Sequence, residues 1–222
     1  MIDIAVIDYG MGNLRSVSKA LEHVAPDAQV MVTSDPQVVS QAQRVVFPGQ
    51  GAMPDCMREM EARGLHQSIL EAAQSKPFLG ICIGMQMLFE HSEEGGVDGL
   101  GLFPGKVLRF PQAAMVGAHN EKLKVPHMGW NEVFQAEPHP LWQGIADGSR
   151  FYFVHSYYCE PAAPDWIAGT TNYPFPFTSA VARDNIFAVQ FHPEKSAEAG
   201  LTLLRNFVHW DINAASAGTP TP

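Results

Sequence analysis

Cys82 stands between two glycines in Gly80-Ile81-Cys82-Ile83-Gly84, with the apolar run Phe78–Ile81 before it and a helix-like stretch after it. A cysteine that only fills a core needs no glycine two residues away on each side. A nucleophile on a sharp strand-to-helix turn does, because neighbouring backbone must approach a residue held in a strained conformation. Such a turn exposes the side chain at the carboxyl end of a sheet, beside free helix N–H groups that favour thiolate over thiol. By itself the pattern fits a buried structural cysteine equally well, so a partner group has to decide. His192-Pro193-Glu194 supplies one. Pro193 disfavours the α conformation at His192, so His192 and Glu194 project to the same side of extended backbone and the carboxylate can orient the imidazole. Cys82, His192 and Glu194 then form a nucleophile, a base and an orienter, the set that acyl transfer through a covalent intermediate requires.

Acyl transfer also needs hydrogen-bond donors for an oxyanion. Phe47-Pro48-Gly49-Gln50-Gly51 follows a strand-like run, and its two glycines can turn N–H groups toward a site; preorganised donors of this kind are worth about 10²–10³ in rate. Alone, the string is also an ordinary Pro-Gly turn. Of the three cysteines, Cys56 falls in a helical pattern and Cys159 lies beside Pro161. Neither has a glycine frame or a His-Glu pair, and both read as structural. An odd cysteine count without CxxC spacing speaks against a disulfide framework and a zinc site, and no metal or cofactor is expected.

These groups need a scaffold. Ile2–Gly10 is a β-branched run ending in glycine, and Leu14, Val17, Leu21 and Val24 then recur at helical spacing. The same alternation continues through strands at Ala28–Ser34 and Arg44–Gly51, a helix over Met57–Ala73, a strand at Pro77–Cys82 and a helix over Met85–Ser92. Alternation of this kind predicts parallel strands with helices on both faces. After Gly95, strand candidates at Lys106–Phe110, Arg150–Tyr158, Ile167–Tyr173, Thr178–Asp184 and Ile186–Phe191 follow without long helices, then a last helix at Ala197–Asp211. The expected fold is a three-layer α/β unit with a mostly parallel central sheet flanked by helices, extended by antiparallel strands in the second half. One domain is expected over residues 1–211, with a mobile tail at 213–222.

The 222 residues hold 14 Lys plus Arg against 23 Asp plus Glu, a net charge of −9, and no basic run that would follow a phosphate backbone. Nucleic acid is not an expected partner. No window approaches the roughly 20 apolar residues of a membrane span, and the first residues lack the basic-then-apolar order of a leader. A soluble, cytoplasmic chain is expected.

Gly80–Gln86, His192–Ser196 and Phe47–Gly51 together resemble the class I, triad-type glutamine amidotransferases, which hydrolyse glutamine and pass ammonia to a synthase. Asp8–Val17 (DYGMGNLRSV) and Val125–Val133 (VPHMGWNEV) are similar to the glutaminase subunits of imidazole glycerol phosphate synthases, and the likeness runs from Met1 to about Asp211. The resemblance implies that Cys82 attacks the side-chain amide of glutamine, that His192 protonates the departing ammonia and later activates water, and that Glu194 holds His192. It assigns Gly49, Gln50 and Gly51 to the oxyanion strand, where many relatives have Val at the Gln50 position. Gly51, Gln86, Ser156 and Tyr157 fall at glutamine-binding positions. Asn13, Trp130, Tyr152 and Lys195 fall on a face toward a (β/α)8-barrel cyclase subunit, the heterodimer partner that makes imidazole glycerol phosphate and AICAR in L-histidine biosynthesis. Two other readings share parts of this sequence: the glutaminase of a different class I amidotransferase, and a catalytically silent regulatory module.

Overall fold

The structure is a computed structural model that describes residues 2–116 and 122–213. In chain order the elements are β1 (Ile4–Ile7), α1 (Leu14–Val24), β2 (Val30–Thr33), α2 (Pro36–Gln41), β3 (Arg44–Gly49), α3 (Met53–Ala62), α4 (His66–Ser75), β4 (Phe78–Cys82) and α5 (Ile83–Gln86). They continue as β5 (Phe89–Ser92), β6 (Val97–Asp98), β7 (Phe103–Arg109), β8 (His127–Gln135), β9 (Ser149–His155), β10 (Tyr157–Pro161), β11 (Ile167–Asn172), β12 (Pro176–Arg183), β13 (Ile186–Val189) and α6 (Ala197–His209).

One half of the sheet is parallel, in the order β2-β1-β3-β4-β13. Strands β1, β4 and β13 are buried along their whole length, as strands covered by helices on both faces must be. Helix α1 packs on α6 and α2 on α4, completing the three-layer α/β arrangement. Register decides what meets at the edge: Gly49 lies opposite Cys82, and Val189 opposite Ile81. The ends of β3, β4 and β13 therefore stop at one level, and the residues that follow them share one place.

Beyond β13 the sheet turns antiparallel through β12, β10 and β7, and a branch runs from β12 through β11 and β8 to β9. Its core is aromatic, with Phe110, Phe153 and Phe177 packed around the rings of His127 and His155.

Three expected elements are divided differently. The helix expected over Met85–Ser92 is one turn, α5, followed by strand β5. Every residue from Ile83 to Phe89 is buried, which leaves no wet face for an amphipathic helix, and Phe89 instead pairs with Phe103 across the β5–β7 ladder. The single helix expected over Met57–Ala73 breaks into α3 and α4 near Gly64, whose φ of +67° ends the first one. The single strand over Arg150–Tyr158 divides at Ser156 because its two halves have different neighbours, β8 for β9 and β7 with β12 for β10. Helix α2 and strand β8 were not expected. Of the tail, residues 214–222 lie outside the described residues.

Candidate active site

Cys82 ends β4 with φ 56° and ψ −112°, a left-handed backbone that L residues rarely adopt. Such strain persists only where the surroundings enforce it. The flanking glycines show how: a Cβ on Gly84 would lie 1.8 Å from the Phe47 carbonyl oxygen, and one on Gly80 2.9 Å from the Ala188 Cβ. Gly80 admits β13, and Gly84 lets α5 sit against β3. Cys82 is 5 % exposed and lines a partly open cavity. Because α5 is a single turn, the helix dipole expected at Cys82 is that of one turn only.

His192 follows β13 in extended conformation, and the turn Pro193–Lys195 brings Glu194 back beneath it. Glu194 Oε1 lies 2.9 Å from His192 Nδ1, with both side chains almost fully buried. Burial by itself would lower the imidazole pKa. The nearby Cys82 sulfur and the hydrogen bond with Glu194 outweigh that and raise it to about 10. His192 Nε2 makes no aligned hydrogen bond among the described residues. The His192 backbone is tied to β9: its N–H donates to the Tyr152 carbonyl at 2.9 Å, while the Ser196 hydroxyl donates to the His192 carbonyl (2.6 Å) and accepts from the Tyr152 N–H (2.9 Å).

A cavity of about 220 Å³ opens in front of the sulfur, and Gln50, Gly51, Cys82, Gln86, Ser156, Tyr157 and His192 all line it. Gln86 donates to the Gln190 side chain at 2.9 Å and Gln190 to the Cys82 sulfur at 3.7 Å, so one amide pair runs from the cavity wall to Cys82. The turn at 49–51 is closely gripped. A Cβ on Gly49 would sit 1.9 Å from the buried Tyr9 hydroxyl, Gly51 has φ +117° and lies under Met11, and the Cys56 thiol donates to the Gln50 carbonyl at 3.8 Å. Burial pushes the Cys56 thiol up to about 11 and raises Cys159 well above the usual thiol range, which suits two packing residues. A larger cavity of about 870 Å³, lined in part by Arg109, Phe110, Lys122 and Lys124, borders the first at Pro126 and is lined by neither Cys82 nor His192.

Three of the four expected partner-face residues form one cluster. Trp130 and Tyr152 are register partners across β8 and β9 with ring centres 6.2 Å apart, and the Lys195 ammonium lies 5.9 Å from the Tyr152 ring centre. Trp130 is 49 % exposed and its neighbour Met128 62 %. Asn13 stands at the N-cap position of α1, after the glycine loop that follows β1, with no side-chain capping bond among the described residues.

The sequence profile of class-I glutamine amidotransferases matches residues 5–210. The chain is 70 % identical over 210 residues to imidazole glycerol phosphate synthase subunit HisH of Thiobacillus denitrificans, covering 95 % of this chain and 92 % of that one. It is 68 % identical to the protein of the same name from Aromatoleum aromaticum over 95 % and 99 % of the two chains. The chain belongs to the class-I glutamine amidotransferases, in the HisH family. The amidotransferase fold extends to far more distant solved structures. A putative GMP synthase protein from Thermoplasma acidophilum superposes with a TM-score of 0.70 at 18 % identity, over 97 % of this chain and 96 % of that one. PurLQS from Thermotoga maritima gives 0.68 at 18 %, over 94 % and 99 %.

Four residues of this amidotransferase site escaped the sequence reading. Gln190 sits two residues before His192, just past the end of β13, and in extended backbone the period of two places it on the same side as His192, a signal that was available. Glu94, the acidic side chain on the cavity wall, comes from the loop after β5, and its carboxylate accepts the Met53 N–H at 2.8 Å. His155 and Tyr9 reach the site through pairings that local spacing does not reveal.

Proposed function

We propose that the chain hydrolyses L-glutamine to glutamate and ammonia through Cys82, His192 and Glu194, as the glutaminase subunit of imidazole glycerol phosphate synthase. The observation that carries the reading is the meeting of Cys82 and His192, from the ends of neighbouring parallel strands, at one cavity, with Glu194 2.9 Å behind the imidazole. With its proton affinity raised, His192 takes the thiol proton and leaves a thiolate. The sulfur attacks the side-chain amide carbon, and backbone N–H groups of Gly49, Gln50 and Gly51 receive the developing oxyanion. His192 returns its proton to the nitrogen, the C–N bond breaks, and ammonia leaves a thioester. Water then gives a proton to His192 and attacks the thioester; the C–S bond breaks, releasing glutamate and restoring the thiol. Glu194 keeps the Nδ1 proton in place throughout. Gln86 Oε1 is a buried acceptor without a partner among the described residues, suited to the α-ammonium of glutamine, and the Ser156-Tyr157 segment to its carboxylate.

Ammonia passes to the cyclase, in this reading a (β/α)8 barrel, docked on Asn13, Trp130, Tyr152 and Lys195 in the cytoplasm. This face touches both working parts: Tyr152 is bonded to the His192 backbone, and a Cβ on Gly12, beside Asn13, would lie 3.5 Å from the Gly49 Cα. A partner pressing here can favour one orientation of the 49–51 peptides, so binding of the partner's nucleotide should raise kcat for glutamine far more than it lowers KM. The deciding experiment is Cys82→Ala in the assembled enzyme. Glutamine-dependent synthesis should fall by roughly 10⁴-fold or more while synthesis from added ammonia persists. Glutamate release by the variant at the unaltered rate would rule the assignment out.

A further inference from the structure

His127 and Asn131, in the string Val125–Val133, are joined to the cavity by a chain of hydrogen bonds. Asn131 Nδ2 lies 3.2 Å from His127 Nε2, His127 Nδ1 2.9 Å from His155 Nε2, and His155 Nδ1 2.8 Å from the Tyr157 carbonyl. The protons in this chain have one consistent placement. A carbonyl only accepts, so His155 carries its proton on Nδ1 and leaves Nε2 to accept; His127 must then donate from Nδ1 and accept at Nε2. The other end fixes the same answer independently. Asn131 Oδ1 accepts the Glu132 N–H at 2.8 Å and Nδ2 donates to the Asn172 carbonyl at 3.0 Å, so the amide cannot turn over. Adding a proton at His155 Nε2 would set N–H against N–H there, or, by shifting the His127 tautomer, against the Asn131 amide.

We propose that Asn131, His127 and His155 are positioning residues: a neutral hydrogen-bond chain that fixes the glutamine-binding segment 155–157 and ties it to the β8 face carrying Trp130. The Tyr157 carbonyl also accepts from Gln86 Nε2 at 3.3 Å, so both its lone pairs are held by protein and the peptide cannot rotate freely. Neutrality matters for a second reason. His155 stands close enough to His192 for a charge on one to disfavour a charge on the other, and burial with the His127 and His192 rings lowers His155 to about 3 despite its Tyr157 hydrogen bond. A chain that refuses the proton leaves it to His192.

The inference rests on the glutaminase reading, and two reagents separate the two claims. In the assembled enzyme, iodoacetamide tests the reactivity of Cys82 alone, whereas 6-diazo-5-oxo-L-norleucine must also be held by its amino-acid head. His127→Phe keeps the ring in its aromatic cluster but cuts the chain, and Asn131→Leu cuts it at a half-buried position. Each should slow labelling by the norleucine reagent and raise KM for glutamine roughly 3- to 10-fold, the worth of one net hydrogen bond, while kcat and iodoacetamide labelling change less than about twofold. In the unaltered chain, ¹⁵N spectra at neutral pH should show both histidines neutral and protonated on Nδ1. An unchanged norleucine rate in both variants, equal slowing by both reagents, or an Nε2-protonated His155 would overturn the proposal with the glutaminase reading intact. If neither reagent labels Cys82 of the unaltered chain, that reading fails and the proposal with it.

Discussion

The parallel and antiparallel halves of the sheet meet at the cavity and treat their polar groups in opposite ways. On the parallel side Cys82 is held in a strained backbone, and Tyr9 Oη, His192 Nε2 and Glu194 Oε2 are buried without a partner among the described residues, with Gln86 Oε1 beside them on α5. The antiparallel side holds Asn131, His127 and His155 in a closed chain, and its unpartnered buried atoms are the hydroxyls of Thr171 and Ser179. Reacting groups must keep a lone pair or a proton available, and strain is tolerated where packing enforces it. Recognition needs fixed geometry, which satisfied hydrogen bonds supply. The division suggests how to disturb one half without the other.

The largest contrast is within the parallel half. His192→Ala should remove glutaminase activity as completely as loss of the nucleophile, whereas Glu194→Gln, which keeps a side chain against Nδ1, should lose roughly 10²-fold less. Single-turnover kinetics would show it, and equal loss would mean that Glu194 does more than orient. Next come two glycines, one in each half. Gly49→Ala must displace Tyr9 and should cost about 10²–10³ in kcat through the oxyanion turn. Gly148→Ala, at φ +75° before β9 with only Phe134 near, should cost about 1 kcal/mol of stability and no catalysis. If both altered kcat alike, the division would fail.

Gln86→Leu lies on the boundary. It removes the acceptor offered to glutamine and should raise KM about tenfold with a smaller change in kcat, as loss of a charge-assisted hydrogen bond does. The smallest effect is on stability against pH, and here the halves have opposite signs. His192 is raised to about 10, so its contribution is fully present below pH about 6.5, the unfolded value, and is lost as pH rises through about 10. His127 and His139, lowered to about 4, and His155, lowered to about 3, are depressed by burial. Below pH about 6.5 the unfolded chain takes up protons that these folded rings refuse, so stability falls on the acid side. Denaturant melts should show the acid limb flattened by His127→Phe and the alkaline limb by His192→Asn; the reverse pattern would contradict the assignment of charge to the two halves.

Much of the parallel half was legible because its signals are local. A cysteine between glycines, a His-Pro-Glu turn and a glycine-rich strand end each fall within a few residues, and the sheet register then aligns them. Elements failed where burial on all sides erased periodicity, as at Met85–Ser92, where the residues up to Phe89 show neither a helical stripe nor a strand alternation. Strand β8 was missed for a related reason: its exposed Met128, Trp130 and Phe134 make the alternation read as irregular.

The sequence alone determined the residue types and local frames of Cys82, the His-Glu pair and the 49–51 turn, together with the alternating elements that make a parallel sheet. Those depend on neighbours within one strand and one turn. Only the tertiary structure decided that Tyr9 would brace Gly49, that Gln190 would join Gln86 to the sulfur, and that His127 and His155, 28 positions apart, would face each other at 2.9 Å. Each of those contacts follows from which strands pair and in what register, and pairing is settled by the burial of the whole chain at once, a quantity that no short stretch of sequence contains.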